Sequence, residues 1–211
     1  MIEYWVDGSD RIDGDPHKGY TERFIHGELF KRYPSIQCVV HSHAEAVIPY
    51  AVVDDVQLLP VYHMGGFLGG AVPVWDPALL YDDSDRQDML VNTERLGTSL
   101  AESFGRKASS TTVEPEWNVV LIKSHGYTTL GKDIATACYR AICTLVNAGV
   151  QTIATLLSAA SSKEAKAAGG VTGLSKRHAR DCQTMTEATQ FKSWDLWSRE
   201  VEASPLYRNS V

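Results

Sequence analysis

The sequence predicts a layered α/β/α domain built on a mixed or largely antiparallel sheet. Short apolar runs suit buried strands, amphipathic stretches with a helical period separate them, and the two alternate irregularly. Residues 1–7 read as a short strand, and residues 8–19, rich in Gly, Asp, Pro and Lys, as a loop. From Thr21, apolar residues recur at Phe24, Ile25, Leu29 and Phe30, a helical period. Thr21 is placed to cap that helix and Tyr33-Pro34-Ser35 to stop it. Residues 36–42 form an apolar strand. Ala44–Val53 suits a helix broken near Pro49, Leu58–His63 a strand, Gly65–Gly70 a tight turn, and Val72–Trp75 a brief strand. The acidic stretch Tyr81–Asp88 is expected to be exposed.

Asn92 begins a helix with Leu96, Leu100 and Phe104 on one face and Gly105 beyond its end. Residues 106–116 are loop-like, Val119–Lys123 is a strand, and Gly126–Lys132 a strand or turn. Asp133 caps a long helix whose expected inner face is Ile134, Cys138, Ala141, Ile142, Leu145 and Gly149. Residues 160–173 look flexible. A last helical pattern runs from about Ser175 to Val201 and leads to Ser204-Pro205-Leu206-Tyr207. The whole reads as a single domain over 1–211 with a helical C-terminal extension from about 174.

Composition narrows the classes of function. The chain has 211 residues, 44% hydrophobic and 22% charged, which is ordinary for a globular domain with a sizeable core. A net charge of −6 without a basic stripe argues against nucleic acid and against an anionic membrane surface. No membrane span and no signal peptide is expected. Cys38, Cys138, Cys143 and Cys182 show no paired framework and read as reduced, buried thiols of a cytoplasmic protein. The basic cluster Lys176-Arg177 with Arg180 reads as a solvated face, and His17, His26 and His178 as surface or packing residues.

The run Cys38-Val39-Val40-His41-Ser42-His43 carries the chemistry. Side chains two apart on a strand point to one face, so both imidazoles project together from a strand end. A second apolar strand ends in Ser124-His125-Gly126. Neutral imidazole is the commonest ligand of zinc and similar metals. Three histidines with one position left open suit a catalytic rather than a structural site. His63, at the end of the next expected strand, is a candidate for lining the substrate pocket.

Glu22-Arg23-Phe24, Tyr33-Pro34 and Val39-Val40-His41-Ser42-His43-Ala44, joined to Ser124-His125-Gly126 and Leu130-Gly131-Lys132, resemble the class II aldolase/adducin family over roughly residues 18–150. Its best-known enzymes are L-fuculose-phosphate aldolase and L-ribulose-5-phosphate 4-epimerase. The resemblance implies a central, mostly antiparallel sheet flanked by helices. It implies His41, His43 and His125 as ligands of a divalent metal, with zinc first and manganese, cobalt or iron as alternatives. Glu22 falls where the aldolase has its acid/base. Tyr207 falls near where some members place a tail tyrosine over a neighbour's active site. Tyr20 and Thr21 stand where the aldolase has two phosphate-binding serines, so Thr21 borders the expected substrate pocket and a sugar phosphate is disfavoured. The resemblance also implies a preceding N-terminal segment that this chain lacks, while the C-terminal stretch 193–202 resembles the longer tails of fungal members.

The implied partners are a small-molecule substrate and copies of the same chain, a cyclic homotetramer with active sites between subunits. The expected reaction is that of a metal-dependent carbon–carbon lyase of the aldolase type. A cation on three neutral ligands keeps its full charge and stabilises an enediolate, while a separate carboxylate moves protons. Decarboxylation of a β-keto or hydroxy-aromatic acid on the same site is the close alternative, with epimerisation by retro-aldol and re-addition as a third. A non-catalytic adducin-like scaffold is the contrasting class.

Overall fold

The computed structural model describes residues 2–13, 19–106, 113–161 and 170–208. Its strands are β1 (Cys38–Ser42), β2 (Val74–Trp75), β3 (Val119–Ile122) and β4 (Gly126–Gly131). Its α-helices are α1 (Arg23–Arg32), α2 (Pro49–Val52), α3 (Glu94–Ser103), α4 (Ile134–Ala160) and α5 (Lys176–Ala203). Short 3-10 helices cover His63–Leu68 and Pro77–Leu79. The sheet order is β1-β4-β3-β2. The β1–β4 and β3–β4 pairs are antiparallel and β2–β3 is parallel, so the mixed, mostly antiparallel sheet is as expected.

β3 is buried along its whole length, and its alternation divides the core. Val120 and Ile122 join Ile25, Leu29, Leu96, Leu100 and Phe104 under α1 and α3. Val119 and Leu121 join Tyr139, Ala141, Cys143 and Ala148 on the α4 side. That division makes three layers, with helices on both faces of the sheet. The Tyr33 hydroxyl ties the end of α1 to the end of α3 by donating to the carbonyls of Ala101 and Gly105.

Several expectations need correction. Thr21 does not cap α1: the capping position is Glu22, whose side chain makes no cap hydrogen bond, and Thr21 is exposed. Residues 1–7 form no strand beyond a single bridge between Tyr4 and Arg11. Pro49 opens the short helix α2 rather than breaking a longer one, because its missing N–H costs nothing in a first turn.

Leu58–His63 is not a strand either. Its main chain is paired by two amide side chains of α4. Asn147 accepts from the N–H of Val61 and of Tyr62 and donates to the carbonyl of Leu59. Gln151 accepts from Leu59 and donates to the carbonyl of Gln57. Those amides also overturn the expected inner face of α4. Its buried face carries Arg140, Thr144, Asn147 and Gln151, while Ile134, Ile142 and Leu145 are exposed. Asp133 does cap α4, accepting from the N–H of Thr136.

α4 is also long and apolar enough to cross a membrane, with a mean hydropathy of 1.5, where the sequence reading expected no such run. Its buried face is nonetheless bonded to the domain: the Arg140 guanidinium donates to the Leu130 carbonyl and pairs with Glu187 of α5. The 3-10 helix His63–Leu68 packs closely on α5, because a Cβ on Gly66 would lie 2.5 Å from the Ala179 carbonyl oxygen. All four cysteines are free, but only Cys143 is buried and the others are half-buried. The flexible stretch expected at 160–173, the loop at 106–116 and His17 fall partly or wholly outside the described residues.

Candidate metal centre

β1 brings two of the expected ligands together. His41 shares the parity of Val39, whose side chain enters the core under α1, so the imidazole points to that face. His43 lies two residues on, just past the strand. The hairpin between β3 and β4 supplies the third. Ser124, in the left-handed region at φ 57°, turns the chain so that the N–H of His125 bonds the Ile122 carbonyl. Because β4 pairs with β1, placing Tyr127 opposite Ser42, this turn stands beside the end of β1. Glu22, at the start of α1, closes the group.

Among the described residues, Glu22, His41, His43 and His125 form one group able to hold a cation, with ligand atoms within 4.8 Å of one another. The Nε2 atoms are 2.9 Å apart for His41 and His43, 3.3 Å for His41 and His125, and 2.8 Å for His43 and His125. Glu22 Oε1 is 3.2 Å from His125 Nε2, and Oε2 is 3.8 and 3.9 Å from those of His41 and His43. The side chains of Glu22, His41 and His125 are buried, whereas His43 is exposed, so the group opens to solvent on the His43 side.

The donor set fits a divalent metal. Each Nε2 of a neutral ring is either a donor or an acceptor, so three in a triangle cannot all be hydrogen-bonded to one another. At His125 the choice is fixed. The Met89 carbonyl, 2.7 Å from Nδ1, can only accept, so Nδ1 carries the proton and Nε2 of the neutral ring presents a lone pair. The Thr128 hydroxyl, 3.1 Å from Nδ1 of His41, can orient that ring the same way, and Thr128 is the direct cross-strand partner of His41. Nitrogens ~2.0–2.1 Å from one zinc stand about 2.9–3.4 Å apart for angles between right and tetrahedral, close to the separations found. Burial, then the charges of His125 and His43, hold the His41 pKa down to about 3, so this ring is neutral and able to ligate at ordinary pH.

The main chain of 89–91 supports the group from behind. The Met89 carbonyl orients His125, and the N–H of Val91 reaches Glu22 Oε1 at 3.4 Å. Met89 itself is in the left-handed region, φ 64°, and its N–H donates to the Tyr81 hydroxyl. No side-chain pattern in the sequence announces these main-chain roles. Thr128 was open to inference from the sequence only through the pairing of β1 with β4.

The other expected site residues stand elsewhere. His63 is exposed, packed edge-on against Tyr62 with ring centroids 4.8 Å apart, and lies outside the group of four. Thr21 borders Glu22 in the chain with its side chain exposed. Tyr207 lies in the C-terminal tail, beside a groove lined by Cys138, Ile142, Trp194 and Trp197, and within this chain it does not approach the histidines. Its expected place was over a neighbouring subunit's site.

Residues 1–152 match the Class II Aldolase and Adducin N-terminal domain. Over 209 residues the chain is 41% identical to Decarboxylase tropJ of Talaromyces stipitatus, spanning 99% of this chain and 77% of that protein. Its fold is similar to that of an aldolase II superfamily protein from Pseudomonas syringae, with TM-score 0.65, 18% identity, and coverage of 97% of this chain and 72% of that one. It is also similar to L-fuculose-1-phosphate aldolase from Thermus thermophilus, with TM-score 0.54, 20% identity, and coverage of 76% and 71%. At those identities the likeness to the two solved structures is one of fold.

Proposed function

Because the chain belongs to the class II aldolase and adducin family, we propose that it is a divalent-metal-dependent carbon–carbon lyase acting on a small oxygenated carbonyl compound. The observation that carries this reading is the convergence of three imidazole Nε2 atoms, 2.8 to 3.3 Å apart, beside one buried carboxylate. His41, His43 and His125 hold the metal, zinc before manganese, cobalt or iron. A divalent cation held there supplies Lewis acidity toward a carbonyl or hydroxyl oxygen of the substrate.

The protein's own residues do the rest. His125 keeps its lone pair aimed inward because its other nitrogen is committed to the Met89 carbonyl. Glu22, within 4 Å of all three rings, is the proton carrier. When a carbon–carbon bond breaks, its electron pair stays on the carbon next to the activated carbonyl, and Glu22 delivers a proton to that carbon. The open His43 side admits substrate and releases the small product.

Decarboxylation is the first form of this reaction, supported by the relative named a decarboxylase, to which the chain is similar over nearly its whole length. Tyr20 and Thr21, where a phosphate-binding serine pair was expected, also support a substrate without phosphate. Aldol cleavage is the second, supported by the same donor set and the shared fold. The reading includes assembly of several copies, a tetramer favoured, for which the exposed apolar face of α4 offers a surface.

The test is turnover of a panel of hydroxy-keto and hydroxy-aromatic acids by metal-loaded protein, with carbon dioxide and aldehyde both measured. Glu22→Gln is expected to keep the metal and lower kcat by ~10²–10⁴. A chain that takes up no divalent ion, or one whose turnover survives Glu22→Gln unchanged, would remove the reading.

A further inference from the structure

A second cavity adjoins the metal centre. It lies between the 4–11 turn and α1, has a volume of about 310 Å³, and is lined by Tyr4, Trp5, Tyr20 and Phe30 together with Ser9, Arg23, His26 and Gly27. The volume is near the lower end for ligand sites, enough for one ring and its substituents. Two of the residues around it are coupled to the centre. The Tyr20 phenol is acted on by Glu22, through charge and a side-chain hydrogen bond that add to its burial, and the charge of His26 acts on His41.

The walls are held in place. The Tyr4 hydroxyl accepts from the Tyr20 N–H at 2.8 Å, and a Cβ on Gly19 would lie 2.8 Å from the Tyr4 ring, so Tyr4 has no slack. Arg23 spans the cavity's edge, its Nε donating to the Ser9 carbonyl at 2.7 Å and its Nη1 to the Tyr20 carbonyl at 3.2 Å. Those bonds use two of five N–H groups, and among the described residues no carboxylate pairs with the remainder.

Ser9 is the telling residue. It is 2% exposed, yet its hydroxyl has no hydrogen-bond partner among the described residues. Its backbone is also in the left-handed region, at φ 54°, a conformation costly for a residue with a Cβ. The hydroxyl lies against the helix, where a Cβ on Gly27 would be 2.2 Å from Oγ, so only glycine leaves room for it. A buried hydroxyl without a partner costs about 1–3 kcal/mol unless a ligand completes it. Flat aromatic walls, an arginine with donors to spare and this hydroxyl together describe the ligand.

We propose that this cavity seats a planar unsaturated ring of the substrate, with a phenolic or carboxylic oxygen on the ring held by Arg23 and Ser9. Aromatic walls favour a flat ring through offset and edge contacts, and guanidinium over a ring face adds to them. The ring brings its oxygenated edge beside Glu22, which is why the inference rests on the lyase reading. That reading's broad substrate class thereby becomes a hydroxy-aromatic acid.

Calorimetric titration of the full-length, metal-loaded protein with 2-hydroxybenzoate, and in parallel with cyclohexanecarboxylate, tests it. The flat ring is expected to bind at least tenfold more tightly. Trp5→Leu and Phe30→Leu are each expected to remove most of that preference; Trp5 is 59% exposed, so its replacement leaves folding intact. Ser9→Ala is expected to weaken 2-hydroxybenzoate severalfold. The proposal is overturned if the wild-type chain shows no preference for the flat ring, or if Trp5→Leu and Phe30→Leu bind it as wild type does. The two readings fail separately. Ring binding that depends on Trp5, with no lyase turnover on any acid, leaves the cavity assigned and removes the reaction. Turnover of acyclic acids without ring preference does the reverse.

Discussion

The Nδ1 of His125 is held by the main-chain carbonyl of Met89 at 2.7 Å, and Met89 takes a left-handed conformation, φ 64°, to present it. A metal-ligating histidine commonly gives its second nitrogen to a carboxylate or a carbonyl, which fixes the tautomer and the ring direction. A carbonyl cannot be deleted by changing the side chain that bears it. It can be loosened through its neighbour, because the Met89 N–H donates to the Tyr81 hydroxyl at 3.0 Å. Tyr81→Phe is therefore expected to weaken divalent-metal binding by roughly three- to tenfold, with a loss of about 1 kcal/mol in stability. Competition with a chromogenic chelator measures the first and urea denaturation the second. Unchanged affinity would show that the 89–91 segment holds its shape without Tyr81.

How much of this was legible in the sequence follows from what each residue's job depends on. His41 and His43 were visible because strand parity alone sends them to one face. His125 was visible because an apolar strand precedes it. α1, α3 and the caps Thr93 and Asp133 were visible through local periodicity and side-chain chemistry. The missed features depend on partners distant in sequence. Val61 and Tyr62 looked like strand residues, yet their N–H groups are satisfied by Asn147, more than 80 residues on. The apolar face of α4 looked like core, but the polar face is the one with backbone to satisfy. Met89 acts through its main chain, to which side-chain identity is blind.

Asn147 makes that trade measurable. It pairs two N–H groups and one carbonyl of the 59–62 segment. Asn147→Ala leaves all three without their partner in a part-buried site. The expected cost is about 2–4 kcal/mol, and Asn147→Leu, similar in size, should do no better. Chemical denaturation with both variants decides it. If the leucine variant recovered stability, packing rather than hydrogen bonding would be what Asn147 contributes.

The lowered pKa of His41 sets an acid limit on the metal-free fold. Its folded value, about 3, lies below the ordinary 6.5, through burial first and the neighbouring imidazoles next. His26 is lowered by burial in the same direction. Below pH ~6.5 the unfolded chain takes up protons that the folded chain refuses, so stability falls as pH drops and levels off only near the folded values. The contribution is full above pH ~6.5 and amounts to several kcal/mol by the acid end. Denaturation midpoints between pH 7.5 and 4.5, in chelator, are expected to fall steeply for wild type and less steeply, by close to one proton, for His41→Gln. Equal slopes would mean that the imidazole is not excluded from protonation in the fold.

α4 carries a further expectation on its outer face. Ile142, Leu145, Val146, Val150, Ile153, Leu156 and Leu157 recur at three- and four-residue steps, and all are exposed in the single chain, the last three by 60% or more. A contiguous apolar stripe of this kind marks an interaction surface, since solvated helix faces are usually charged. The helix is held to the domain by its opposite, polar face through Arg140, Asn147 and Gln151, so the stripe is free for a second copy. Like surfaces meeting about a rotation axis bury each other and close the assembly. Ile153→Glu with Leu157→Glu, one turn apart on that stripe, is expected to reduce the mass in light scattering to that of one chain. Retained far-ultraviolet circular dichroism would show that the fold survives, because neither side chain enters the core. A wild-type chain that is already a single copy at micromolar concentration would leave the stripe without this partner and remove assembly from the functional reading.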